Sequence, residues 1–159
     1  MRLFTIGVYG SSEDEFYGKL TANHIDLFCD IRQKRGVRGS KYAFVNSNYL
    51  QGKLAELGID YLYEKTLAPT RQIREMQWEE DKVEYQTKKT RKVLGHAFCC
   101  GYNTLILDRV NLDELMKTFK ARKSLNIAFF CLEEKPEACH RSLVAKRLAE
   151  KYQLEVIDL

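Results

Sequence analysis

The feature that most constrains this chain is a set of short apolar runs, each too short for a helix and each separated from the next by a helix-sized amphipathic stretch. Leu3–Ile6, Leu27–Ile31, Ile59–Tyr63, Asn126–Cys131 and Leu154–Ile157 are such runs. Runs apolar on both faces are expected of strands covered on both sides, as in a parallel sheet. Between the first two, Ser11 or Ser12 is placed to cap a helix. Glu15 stands three residues after Ser12 as a capping box, Phe16 and Leu20 face the core, and the helix ends near Asn23. Asn46 or Ser47 caps the next helix, with Leu50, Leu54 and Leu57 on one face and Gly58 where a helix end favours glycine. The last long helix starts near Pro136 and lines up Val144, Leu148 and Tyr152. Strands alternating with helices predict a single α/β domain over 1–159: a Rossmann-like, open, mostly parallel sheet with helices on both faces.

The stretch 66–124 is polar and carries only scattered apolar residues. It is expected to be a mainly helical insertion of two or three helices, one around Asp113–Arg122. Leu105–Leu107 reads as a short strand or a buried loop. The chain has 159 residues, a length that suits one core. Its 45% hydrophobic content argues against disorder. No apolar run approaches the roughly 18 residues a membrane span needs. The opening MRLFTIGVYG turns polar too soon for a signal peptide. The expectation is a cytoplasmic protein with no membrane partner.

Ligands of open parallel sheets sit beyond the carboxyl ends of the strands, where loops lead into helix N-termini whose free N–H groups attract anions. Chemistry-bearing residues recur at those exits. Gly7 and Gly10 flank the first turn, which reads equally as a tight connection or as a turn that lets a phosphate approach the backbone. Asp30 and Arg32 follow the second strand on the same side, Asp30 orienting a guanidinium whose planar fork suits carboxylate or phosphate. Gly36, Gly39 and five basic residues fill 32–41, a loop able to close over a phosphate or track a nucleic-acid backbone. Tyr42 and Phe44 beside it are expected to be core residues more than base-stacking platforms.

The sharpest group is Cys139-His140-Arg141 at the start of the last long helix, with Cys131 and Glu133 on the strand exit before it. A cysteine at a helix N-terminus has its thiolate favoured, histidine serves as a base near neutral pH, and arginine holds an anion. The bland alternative is a helix-start cysteine with His140 and Arg141 capping or pairing with Glu133. Five cysteines without an export signal argue against a disulfide framework. Cys131, Cys139 and His140, or His96, Cys99 and Cys100, are of metal-ligating type, but neither spacing matches a common zinc pattern, so no metal and no other cofactor is expected. Cys99-Cys100 beside Ala97 and Phe98 reads as a buried apolar stretch.

The motifs Thr5-Ile6-Gly7, Asp30-Ile31-Arg32, Gly58-Ile59-Asp60-Tyr61, Cys131-Leu132-Glu133 and Cys139-His140-Arg141 occur here in order. Together they resemble the small bacterial and archaeal family known as domain of unknown function 488, over almost the whole chain. Cys-His-Arg with its upstream Cys-x-Glu is the specific part. One departure is Val8-Tyr9 where the family's first turn usually continues His-Ser. The resemblance implies a compact α/β fold with a shared pocket from Gly7, Arg32, Glu133, Cys139, His140 and Arg141, and no established reaction.

The functional expectation is therefore a site for an anionic, phosphate-bearing or nucleotide-like small molecule. Gly7, Gly10, Asp30, Arg32 and Arg141 would bind it, and Cys139, His140 and Glu133 would act if there is chemistry. Sequence alone does not decide between an enzyme and a binder. The first alternative is a nucleic-acid-binding module, resting on the 32–41 loop, the basic segment Lys88–Lys92 and a formal net charge of +4. The second is a thiol-dependent redox or transfer enzyme using Cys139, with Cys131 as resolving partner. The third is a purely structural ion network of Glu133, Arg141 and Arg32.

Overall fold

The computed structural model describes residues 1–87 and 90–159. Five strands form one sheet: β1 (Arg2–Ile6), β2 (Leu27–Asp30), β3 (Asp60–Tyr63), β4 (Asn126–Phe130) and β5 (Glu155–Asp158). Their order is β3-β2-β4-β1-β5, and every pairing is parallel. Among the described residues six α-helices accompany the sheet: α1 (Glu13–Ala22), α2 (Ser47–Glu56), α3 (Arg71–Val83), α4 (His96–Tyr102), α5 (Leu112–Ala121) and α6 (His140–Tyr152). The open α/β architecture expected from the alternation of runs is present.

Side-chain alternation along the strands divides the core in two. Phe4, Ile6, Phe28 and Phe130 pack on Phe16 and Leu20 of α1 and Leu50 and Leu54 of α2. Leu3, Leu27, Cys29, Ile127 and Phe129 face the opposite way, onto Phe98, Phe119, Val144 and Leu148 of α4, α5 and α6. Local chemistry sets the helix ends. Ser12 and Glu15 form the reciprocal capping box of α1, and Asn46 is the N-cap of α2. Gly58 takes a φ of +70° just past the α2 C-cap, Leu57, which is exposed rather than aligned with Leu50 and Leu54.

Two expectations are corrected. Residues 105–107 are neither strand nor loop: α4 runs on into a π-helical turn over Asn103–Leu107, because Ile106 and Leu107 reach the core from continuous helical backbone. Cys99 and Cys100 are not a buried stretch. The inward face of α4 is formed by Phe98, Gly101 and Tyr102, which leaves Cys99 half-buried and Cys100 exposed. Pro136 opens a 3-10 turn, Pro136–Ala138, and α6 proper begins at His140 with Cys139 as its N-cap. Among the described residues no helix is long and apolar enough to cross a membrane.

Candidate functional site

The strand exits are tied together before any side chain is placed. Backbone N–H groups of Ile31, Cys131 and Glu64 donate to Phe130, Ile6 and Asp30 carbonyls, and those of Val8 and Tyr9 both donate to the Leu132 carbonyl. The β1 and β4 exits touch: a Cβ on Gly7 would stand 1.9 Å from the Glu133 carbonyl oxygen. Only glycine permits that approach. Gly10 takes a φ of +87° and donates its N–H to the Tyr42 hydroxyl.

Two arginines are buried at this edge, and they are used differently. Arg141 is 1% exposed and spends its fork on the protein: Nε donates to Thr5 Oγ1 at 3.2 Å, Nη1 to the Glu133 carbonyl at 2.6 Å and Nη2 to the Glu134 carbonyl at 2.8 Å. It thereby holds the β4 exit loop in shape. Arg32, 2% exposed, donates Nε and Nη2 to the two carboxylate oxygens of Asp30 at 2.9 and 2.7 Å. The Tyr61 hydroxyl donates to the same carboxylate, and the Arg32 guanidinium lies 4.5 Å over the Phe130 ring. Arg32 Nη1 is buried with no hydrogen-bond partner among the described residues.

Beside Arg32 opens a cavity of about 290 Å³. Glu133, Cys131, Cys139 and His140 form one wall; Arg74, Gln77 and Trp78 of α3, with Arg91, Leu94 and Phe98, form another. Glu133 Oε2 accepts from both thiols, Cys131 Sγ at 3.2 Å and Cys139 Sγ at 3.1 Å. His140 Nδ1 lies 3.7 Å from Cys139 Sγ, and its Nε2 lies 3.2 Å from the Ile31 carbonyl. Hydrogen bonding to Cys139, then burial, pushes the Cys131 thiol up to about 11. Burial works against a charged His140, but its interactions with Cys131, the Glu133 carboxylate and the Ile31 carbonyl outweigh it and raise its pKa.

Of the residues expected at the site from sequence, Arg32, Glu133, Cys139 and His140 line this cavity. Gly7, Gly10, Asp30 and Arg141 stand behind it: Asp30 orients Arg32, Gly7 lets two exits meet, and Arg141 braces the loop that carries Glu133. Tyr42 is half-buried and Phe44 belongs to the core. The basic 32–41 loop leaves Lys34, Arg38 and Lys41 exposed. Of the basic segment Lys88–Lys92, Lys88 and Lys89 lie outside the described residues.

Sequence reasoning missed the α3 side of the cavity. Arg91 Nη1 donates to Asp81 Oδ2 at 2.9 Å, while its Nη2 reaches the Ala138 carbonyl at 3.2 Å and Glu133 Oε1 at 3.4 Å. Gln77 Nε2 donates to Asp81 Oδ1, and Gln77 Oε1 accepts from the Gly95 N–H. Buried polar residues are recognisable only once burial is known. The one local signal was three polar residues, Gln77, Asp81 and Arg74, at helical spacing on a face with Ile73.

A model of the family described as domain of unknown function DUF488 matches residues 12–148. No curated protein and no solved structure matches.

Proposed function

We propose, for a chain that belongs to the DUF488 family, that it binds a small anionic, phosphate-bearing or nucleotide-like ligand in the cavity at the β2 and β4 exits. The observation that carries this reading is Arg32 Nη1, a buried guanidinium nitrogen with no partner among the described residues, on a residue that lines the cavity. An unmet buried donor costs free energy, and a charged one more than most. An anion that accepts from Nη1 while Asp30 holds the other edge of the fork removes that cost. In the described lining Arg32, Lys34, Arg74 and Arg91 are cationic and Glu133 is anionic; with Asp30 and Asp81 paired to Arg32 and Arg91 the group stays net positive, which supports the sign. Phe98 and Trp78 add apolar surface against which a flat ring can lie. The volume lies near the lower end of ligand pockets, which run from about 300 Å³ upward.

A thermal-shift screen of the purified protein tests this. The panel holds nucleotides, pyrophosphate, inorganic phosphate, nucleobases and short oligonucleotides. Stabilisation by one small phosphorylated class, lost in the Asp30→Asn/Arg32→Gln double variant, is the expected result. Stabilisation by oligonucleotides alone, fading with salt, would replace it with the nucleic-acid reading. No shift with any phosphorylated compound sinks the proposal.

A further inference from the structure

We propose that Cys131, Cys139 and His140 bind one zinc-class divalent metal ion at the wall of the cavity, with Glu133 beside the fourth coordination position. The inference does not rest on the anionic-ligand reading, because the ion can be measured with no other ligand present.

The donor atoms of Cys131, Cys139 and His140 all lie within 4.8 Å of one another, and all three residues are buried. The Cys139 sulfur and the His140 Nδ1 are 3.7 Å apart. With metal–sulfur and metal–nitrogen bonds of about 2.3 and 2.0 Å, a tetrahedral site has S···N edges of roughly 3.5 Å. Cys139 and His140 are thus already near the spacing an ion would impose, with the Cys131 sulfur within 4.8 Å of both.

The imidazole is oriented for it. His140 Nε2 lies 3.2 Å from the Ile31 carbonyl, which can only accept. Nε2 therefore carries the proton, and the Nδ1 lone pair is turned toward the sulfurs. That is the outer-shell arrangement by which ligating histidines are held.

The surroundings fit a cation better than two thiol protons. Both sulfurs are within hydrogen-bond distance of Glu133 Oε2, at 3.2 and 3.1 Å. Replacing the two protons by one divalent ion leaves the charge of the group unchanged, since the protons leave to solvent as the ion enters. Arg91, at 3.4 Å from Glu133 Oε1, balances the carboxylate. Thiolate and imidazole together select zinc-class over alkaline-earth ions. Three protein ligands leave a fourth position open beside Glu133, facing the cavity, for water or a bound ligand.

The spacing hides such a site because its ligands come from two elements. Cys131 leaves β4, whereas Cys139 and His140 open α6, and Arg141 holds the intervening loop by the Glu133 and Glu134 carbonyls. The pair His96 and Cys100 on α4, 3.6 Å apart and exposed, is the competing location.

The test uses the tag-free full chain, stripped with a chelator under reducing conditions and titrated with cobalt(II) alone, then zinc(II). The expected result is one equivalent of cobalt with tetrahedral visible bands and thiolate-to-metal charge transfer of two-sulfur intensity. Loading the stripped protein with either ion should release two protons per ion, and zinc should then displace cobalt with no further proton release. Cys100→Ser and Cys99→Ser should leave the spectrum intact. Cys131→Ser and Cys139→Ser should each halve or abolish the charge-transfer band while circular dichroism stays native. If either serine variant does not fold, the wild-type two-sulfur spectrum persisting in Cys99→Ser/Cys100→Ser carries the assignment. Absence of charge-transfer intensity in the wild type, or its loss in Cys100→Ser, overturns the proposal. So does a Cys131–Cys139 disulfide whose reduction brings no cobalt binding.

Discussion

Arg91 and Glu133, separated by 42 positions in the chain, meet at the cavity lining with Nη2 3.4 Å from Oε1. Arg91 also pairs with Asp81 on α3 at 2.9 Å, so one guanidinium joins the helical region between β3 and β4 to Glu133 on the β4 exit. All three side chains are less than a tenth exposed.

Arg91→Ala should therefore be strongly destabilising. Removing one member of a buried pair leaves uncompensated charge, at a cost of about 3 kcal/mol or more. Arg91→Lys should recover only part of it, since an ammonium cannot span Asp81, Glu133 and the Ala138 carbonyl in one plane. Chemical denaturation of the three proteins measures this. Equal stability of Arg91→Ala and wild type would show that the bridge is unimportant.

The two buried arginines should separate by phenotype. Arg141→Ala strands the Glu133 and Glu134 carbonyls and removes a donor from Thr5, and should lower stability by on the order of 3 kcal/mol. Arg141→Lys should not restore it, because three divergent acceptors need the guanidinium fork. The Asp30→Asn/Arg32→Gln variant, which removes both charges of a pair, should stay close to wild-type stability and lose phosphate-ligand stabilisation. A matched loss of stability in both would erase the distinction drawn from their hydrogen bonds.

Gly7→Ala should be among the most damaging small substitutions in the protein. Its Cβ would meet the Glu133 carbonyl oxygen at 1.9 Å and the Glu134 carbonyl oxygen at 3.1 Å, both backbone atoms. Relief requires the β1 and β4 exits to part, which also pulls the Glu133 carbonyl from Arg141. A loss of about 3 kcal/mol is expected. A soluble Gly7→Ala protein melting within a degree or two of wild type would contradict it.

Thiol labelling of the native protein should follow burial. Cys100 is exposed and should react first. Cys99 is half-buried, and burial, aided by Cys100 and Glu80, raises its thiol pKa, so it should follow more slowly. Cys29, Cys131 and Cys139 should react only as the fold opens. Mass spectrometry of timed samples reads the order. Rapid labelling of Cys139 would mean that the cavity wall opens readily.

Stability should fall in alkaline solution, and Cys29 should contribute. Burial first, then the Glu64 and Asp30 carboxylates, pushes its thiol well above the ordinary value of 9.0. As pH rises through that value the unfolded thiol loses its proton while folded Cys29 keeps it. The folded state then binds more protons, so its stability declines with pH. Cys29→Ala should be less stable throughout, but with a shallower decline above about pH 8. Parallel curves would remove Cys29 from the account.

Much was legible in the sequence because it is encoded locally. Ser12 with Glu15 marks the α1 start through reciprocal hydrogen bonds, Asn46 takes the N-cap position of α2, and Pro136, through its fixed φ, opens the 3-10 turn that leads into α6. Runs such as Leu27–Asp30 declare a strand covered on both faces by their own composition. The carboxyl edge follows from the strand-to-helix order, and Arg32, Glu133, Cys139 and His140 were placed there on that ground. Residues 105–107 read as a short strand or a buried loop because their apolar side chains fit either, and a helix carrying on from Tyr102 leaves no separate local mark.

What tertiary structure alone decided is where distant donors end. Arg32 and Arg141 look alike in sequence, yet the order β3-β2-β4-β1-β5 sets Arg141 beside Thr5 and the β4 exit carbonyls, and leaves Arg32 Nη1 without a partner among the described residues. It also brings Arg91, Gln77 and Trp78 to a cavity that no nearby motif announces, and gathers Cys131, Cys139 and His140 about one point. The strand and helix assignments rest on free energies summed over a few neighbouring residues. Which guanidinium is satisfied, and which thiols meet, depends on distances between chain segments that become defined only when the sheet closes its order.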